Sequence, residues 1–300
     1  MRAEETIRRA LRVCVGLLCG LVPWGSICVA GDATEPPRRL VSICAQGDQL
    51  LLELVDRSRI LAVSKLASDP DISPHWKEAQ NVPTTDASAE AIVRLKPDLV
   101  LAGKYSTPQT VRMLKRLGVP VLELDIANDF DELRAQIREV AKTLGADQKA
   151  ETLIKEMDAR LQRVRETTPP QRPTAMFYFH DGFTPGGHTF PNAILEAAGF
   201  RNLGAEFSKE MGVNTSLESV VMTQPQFLFL TKYRQDHPTV TQICVSQVIL
   251  KQISQKMDVV AVSFRHLATP DPLNLELVEM LHEELLRHLP VGGGKKLVQH

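Results

Sequence analysis

The chain is short of cysteine and of net charge, and each shortage removes a class of protein. Of five cysteines in 300 residues, three lie in the first thirty, which leaves Cys44 and Cys244. That count rules out a disulfide framework. The pair would bridge only if their Cα atoms came within about 7 Å, and two buried thiols are the alternative. A formal net charge of −1 argues against a nucleic-acid binder, which carries a basic stripe. The sequence has no heptad run and no low-complexity tract. It also lacks Gly-x-Ser-x-Gly, the Lys-containing phosphate loop and the dinucleotide fingerprint. No His-x-x-His or Cys-x-x-Cys spacing supports a metal held by the protein, so neither a resident metal nor a cofactor is expected. What remains, 43% hydrophobic and 24% charged, is ordinary globular composition. The length suits one large domain or two smaller ones.

The first thirty residues stand apart. Arg2, Arg8, Arg9 and Arg12 precede the uncharged run Val13–Ala30, and Cys28-Val29-Ala30 puts small residues before Gly31. This is the three-part layout of a secretory signal peptide over residues 1–30. The run also just reaches membrane-spanning length, so an uncleaved anchor is the competing reading. Pro23, Gly25 and Ser26 favour cleavage, and neither Cys19 nor Cys28 has the small-residue context of a lipoprotein site.

Beyond the leader, short apolar runs alternate with helical periodicity. Strands are expected at 40–44, 60–63, 98–102 and 119–124, with helices between them; Ser88 caps one and Pro108 opens another. Two longer helices follow, 130–144 closed by Gly145 and 147–166 without Gly or Pro. The second would run roughly 30 Å. Alternation then resumes with a strand at 175–179, a Gly-rich loop at 180–188 and a helix at 190–198. The expectations continue with a helix at 239–253, a strand at 259–262 and a last helix at 273–289. The predicted fold class is therefore α/β. Two similar, mostly parallel-sheet lobes (38–145 and 169–290) are joined by one long helix (146–168), with a ligand cleft between them and a loose tail at 291–300.

The two-lobe reading rests on an internal repeat. Residues 88–101, S-A-E-A-I-V-R-L-K-P-D-L-V-L, correspond to 216–229, S-L-E-S-V-V-M-T-Q-P-Q-F-L-F, 128 residues later. Ser88 matches Ser216, Glu90 matches Glu218, Val93 matches Val221 and Pro97 matches Pro225. Such a period is too long for a solenoid.

In parallel sheets, ligands bind beyond the carboxyl ends of the strands. The residues just after each expected strand are Gln46, Lys65, Lys104 and Tyr105 in the first lobe. In the second they are His180, Phe183, Lys232, Tyr233, Arg234, Phe264, Arg265 and His266. The set is aromatic and basic, which suits a bulky planar or macrocyclic ligand with anionic groups.

Three motifs carry a family resemblance: A-E-A-I-V-R-L-K-P-D-L-V-L-A, the run from Thr189 through Ile194-Leu195-Glu196-Ala197-Ala198-Gly199 to Asn202, and Ser216-Leu217-Glu218 before the Pro225 strand. Across roughly residues 38–290 the chain resembles the class III periplasmic binding proteins, which deliver vitamin B12, ferric siderophores or haem to ABC importers. The resemblance implies a monomer in the periplasm that binds a metal chelate or corrinoid and catalyses nothing. It implies a permease dimer in the inner membrane as partner. It also implies that Glu90 and Glu218 dock onto permease arginines. Each glutamate lies in the first turn of a helix, where stabilising the helix start, worth about 0.3–1 kcal/mol, is the alternative role. A siderophore or corrinoid is the expected cargo, and haem the alternative within the same transport class. Two rivals lie outside that class: a two-lobed chelatase-like enzyme, against which the leader argues, and a tethered sensor.

Overall fold

Strands buried on both faces need continuous apolar runs, and the central strands of the first lobe are of that kind. A computed structural model describes residues 35–232 and 257–288. The leader, Tyr233, Arg234, Cys244, the helix expected at 239–253 and the tail lie outside the described residues. The first lobe alternates β1 (Leu40–Ser42), α1 (Ala45–Leu54), β2 (Ile60–Ser64), α2 (Trp76–Ala79) and β3 (Thr84–Thr85). It continues with α3 (Ala89–Arg94), β4 (Leu99–Gly103), α4 (Pro108–Arg116), β5 (Val121–Leu124) and α5 (Phe130–Leu144). All five strands are parallel, in the order β3-β2-β1-β4-β5.

Helix α6 (Asp147–Thr167) leads out of this lobe. Its 21 residues span about 31 Å. The second lobe comprises β6 (Thr174–Tyr178), β7 (Phe183–Pro185), α7 (Phe190–Ala197), β8 (Arg201–Asn202) and α8 (Gly204–Phe207). After these come β9 (Gly212–Asn214), α9 (Leu217–Thr223), β10 (Phe227–Lys232), β11 (Asp258–Ser263) and α10 (Leu275–His288). The main sheet is parallel, in the order β11-β10-β6-β8.

One expectation needs correction. The segment 180–188, read as a loop, contains β7, which pairs antiparallel with β9. Phe-Thr-Pro amid glycines gives no alternation for a sequence reading to detect. Gly212, at φ 128°, lets the ribbon close, because a Cβ there would strike the Thr184 carbonyl.

The repeat is present in the backbone. Ser88 accepts the Ala91 N–H at 3.3 Å, and Ser216 accepts that of Ser219 at 3.2 Å. Both helices then end on a left-handed residue before proline, Lys96 at φ 49° and Gln224 at φ 51°. Non-glycine residues adopt that region at a cost. Its recurrence at equivalent positions marks one supersecondary unit used twice. Ile92 and Val220 anchor the two copies in their lobes, both fully buried.

A single apolar cluster runs from Leu133, Ile137 and Leu144 of α5, through Ile154 and Met157 of α6, to Phe177, Leu195 and Leu281 of the second lobe. The long helix is pinned at both halves. Arg138 pairs with Glu151 at 2.6 Å on the first-lobe side, and Arg160 pairs with Glu279 at 2.7 Å on the second. The lobes also meet directly, with the Phe130 and Phe190 rings 5.0 Å apart edge to face. A continuous core across the connection favours a stiff body over a wide hinge.

Candidate ligand-binding cleft

Strand order changes direction between β1 and β4 in the first lobe and between β6 and β10 in the second. Crevices outside the carboxyl ends of strands form at such switch points. Gln46 and Lys104 follow the two strands of the first switch point; His180 and Lys232 follow or end those of the second. Gly47 lets α1 approach the first crevice, since a Cβ there would sit 2.7 Å from Ser42 Oγ and 2.9 Å from Leu101 Cβ.

In the first lobe Gln46 and Lys104 both bond to Asp125. Gln46 is only 6% exposed. Its Nε2 donates to the Asp125 carbonyl at 3.0 Å and to the Gln136 side chain, and Gln136 Nε2 donates to the same carbonyl at 2.7 Å. Lys104 donates to Asp125 Oδ2 at 2.7 Å and lies 5.6 Å above the Tyr105 ring. The Asp125 hydrogen bond raises the Lys104 ammonium above its ordinary pKa and holds the Asp125 carboxyl below its own. Tyr105, at 67% exposure, offers a ring and a hydroxyl to solvent. Lys65 follows β2, one strand away from the switch point, and joins neither group.

In the second lobe the candidates form two groups. His180 N–H donates to Thr231 Oγ1 at 2.9 Å, tying β6 to β10, and the His180 ring meets Phe264 edge-on at 5.0 Å. Phe179 joins Phe183 and Phe264 into this cluster, at 5.9 and 5.6 Å. Burial lowers the His180 pKa, so the ring stays neutral to lower pH than a free histidine. The other group lines a cavity of about 270 Å³: Lys232, Ala261, Val262, Ser263 and Arg265, faced by Pro70 and Asp71 of the first lobe. His266 is half-buried, and burial and then the Arg265 charge lower its pKa. A wider groove of about 670 Å³, bounded by α5, the end of α6 and α7, contains none of the predicted cleft residues. It lies along helix flanks rather than strand ends.

Asp125, Gln136, Pro70 and Asp71 were not anticipated from sequence. Asp125 directly follows β5, so the strand-end rule would have reached it. Pro70 and Asp71 sit in a loop well beyond β2 and carry no such signal. Cys44 is a buried free thiol, with burial pushing its pKa up to about 12, so it is unreactive at neutral pH.

Glu90 and Glu218 are both exposed, each in the first turn of its repeat helix. Each helix runs back toward the start of the next parallel strand. Its first turn therefore lies on the carboxyl-end side of its sheet, the side of the cleft.

Two parallel α/β lobes, a stiff connecting helix and a cleft at both switch points define a two-lobed solute-binding protein. Residues 40–252 match the family described as periplasmic binding protein, and the chain belongs to it. The resemblance read from the three motifs holds. Members of the family are solute-binding transport proteins that take small ligands and work with permeases. The cobalamin-binding protein of Halobacterium salinarum is 26% identical over 247 residues, 80% of this chain and 67% of that one. Among solved structures, the periplasmic vitamin B12-binding protein BtuF of Vibrio cholerae superposes with a TM-score of 0.66 at 18% identity, over 85% of this chain and 99% of that one. The periplasmic haem-binding protein RhuT of Roseiflexus gives 0.65 at 21%, over 82% and 98%. At such identities the two structures share the fold with this chain, and a B12 binder and a haem binder fit it equally well.

Proposed function

We propose that this chain is a periplasmic solute-binding protein that carries a corrinoid or ferric siderophore to an ABC import permease dimer in the inner membrane. It acts as a monomer, by binding rather than catalysis, after export and removal of residues 1–30. The observation that carries this reading is the cavity between the lobes, where Lys232 and Arg265 stand together opposite Pro70 and Asp71. Two cations against the single carboxylate of Asp71 leave the part-enclosed site net positive, which suits an anionic substituent of a large ligand, and the guanidinium grips carboxylate or phosphate with two parallel hydrogen bonds. Tyr105 and the Phe264 cluster add flat apolar surface for the body of such a ligand. The name of the Halobacterium relative favours the corrinoid. In this reading Glu90 and Glu218 present one carboxylate from each lobe to the two permease subunits.

Mass spectrometry of the ligand that co-purifies from the native host, followed by calorimetric titration of that ligand, tests the proposal. A metal chelate or corrinoid bound one to one is expected. A simple sugar, an amino acid or turnover of the added compound would sink it. Bound haem would move the cargo to the alternative within the same transport class.

A further inference from the structure

The two walls of the small cavity come from separate lobes, and the same two segments meet again nearby. On the first-lobe side, Pro70 and Asp71 lie in a tight turn that ends at His75. Ser73 N–H donates to the Asp69 carbonyl at 2.8 Å, and His75 N–H donates to Ser73 Oγ at 3.2 Å. On the second-lobe side, Arg265 is followed by His266, whose carbonyl accepts from Asn274 Nδ2 at 2.8 Å. Asn274 is locked in turn to Asp271 by a capping box. His75 and Asp271 face each other across the lobe junction. His75 Nε2 stands 3.5 Å from Asp271 Oδ2 and 3.4 Å from Glu53 Oε1 of α1. Beside them, Thr269 Oγ1 donates to Gln49 Oε1 at 2.7 Å, a second tie between the lobes.

These groups are deeply buried, His75 at 5% exposure and Asp271 at 1%. At 3.5 Å their contact is an ion-pair distance, and neither Nε2 nor Oδ2 completes a hydrogen bond among the described residues. A buried carboxylate needs a countercharge. The charged groups around the site are Glu53 on α1, Glu78 on α2 beside His75, Asp271 on the second lobe and Lys149 of α6 facing Glu53. His266, Arg265 and Glu276 stand on the Asp271 side. Carboxylates dominate the immediate surroundings of the imidazole. Burial pushes His75 down, but Asp271, Glu53 and Glu78 together outweigh it and hold the ring above its ordinary 6.5.

We propose that His75 is a positioning residue for the ligand cleft: when protonated it struts Asp271 and sets the spacing between the Pro70–Asp71 wall and the Arg265 wall. This rests on the reading that the cavity belongs to the ligand site. Because the folded-state pKa is raised, the strut is complete below the ordinary histidine value and is lost as pH rises through the raised one. Ligand affinity takes the same course.

Two readouts test the strut. The first is the imidazole titration of His75 by NMR in the ligand-free protein and in Asp271→Asn, which keeps the helix cap but removes the charge. A midpoint above 6.5 that falls in the variant is expected. The second is cobalamin affinity between pH 6 and 8.5 in the parent and in His75→Gln. The parent is expected to lose affinity several-fold with rising pH, while His75→Gln is weak and flat and meets the parent at the alkaline end. A merely structural histidine would lower affinity equally at every pH, and that result overturns the proposal. Should the parent bind no cobalamin, the corrinoid assignment falls. The strut is then judged on the imidazole alone, where a midpoint unmoved by Asp271→Asn overturns it. The parent titration and Asp271→Asn also decide the matter if His75→Gln does not fold.

Discussion

Residues 88–103 and 216–231 fold into the same unit: a serine-capped helix, a left-handed residue, a proline and a buried parallel strand. Lys104-Tyr105 and Lys232-Tyr233 recur at matching positions in sequence, but the surroundings of the two lysines differ. In the first lobe Lys104 pairs with Asp125 at the surface, and Gln46 and Gln136 brace the same segment. In the second, Lys232 lines an open cavity with Arg265, and His180 packs into a phenylalanine cluster. Packing constrains the repeated helix and strand because every buried methyl is felt by its neighbours. The neighbours beyond the strand ends escape that constraint, so the same lysine meets a carboxylate in one lobe and lines a cavity with Arg265 in the other.

That asymmetry can be broken experimentally. Arg265→Ala should weaken ligand binding most, by about 2–5 kcal/mol if it meets a buried anionic group. Lys104→Ala should leave affinity near the parental value, since its exposed charge is already matched by Asp125. Calorimetric titration of both variants measures the contrast, and equal losses would abolish it.

A second difference lies beneath the switch points. The first lobe buries Asp48, whose carboxylate accepts from Ser64 N–H at 2.9 Å and from Ser64 Oγ at 2.5 Å. The second lobe uses the neutral hydroxyl of Thr231 at its own switch point. Burial pushes Asp48 up from 3.8 to about 6 despite the Ser64 bonds. The folded state then binds the extra proton. The Asp48 contribution to stability is greatest below about pH 4, declines as pH rises through about 6 and levels off above it, a change on the order of 3 kcal/mol. Asp48→Asn should remove that part of the pH dependence and be at least as stable as the parent at pH 7. Thermal melts from pH 4 to 7 check this, and an unchanged slope in the variant would count against it.

Smaller effects are expected at the surface. The double substitution Glu90→Ala and Glu218→Ala should spare ligand affinity and weaken permease docking, each exposed pair contributing about 0.2–1 kcal/mol. Reversal to lysine should do more harm. Transport in vesicles and ligand titration on the same variants separate the two roles, and normal transport by the reversed protein would end the docking proposal. The least change is expected in lobe geometry. Because one apolar cluster and α6 run through both lobes, free and bound crystal structures should nearly superpose. A wide hinge rotation on binding would show that the shared core does not stiffen the pair.

Much of this fold was legible because its signals are local. Helix α5 spans the expected residues and ends at Gly145, and the absence of Gly and Pro over 147–166 foretold the long helix. The β7–β9 ribbon was not legible, since its pairing joins short glycine-rich segments with no periodicity. The small cavity was half legible. Reading the residues beyond strand ends reached Lys232 and Arg265, which line it, but not Pro70 and Asp71 opposite, which only the folding of the Asp69–His75 turn brings across. Sequence also gave no sign that Asp125 would neutralise Lys104, because the two belong to neighbouring strands in space.

A crystal structure of the protein with its co-purified ligand tests the unequal division of labour between the lobes most directly. The ligand should lie between the lobes with an anionic group against Lys232 and Arg265, Tyr105 against its body and the Lys104–Asp125 pair intact. A ligand seated away from the second lobe's cations, or one that pulls Lys104 off Asp125 to bind it, would contradict it.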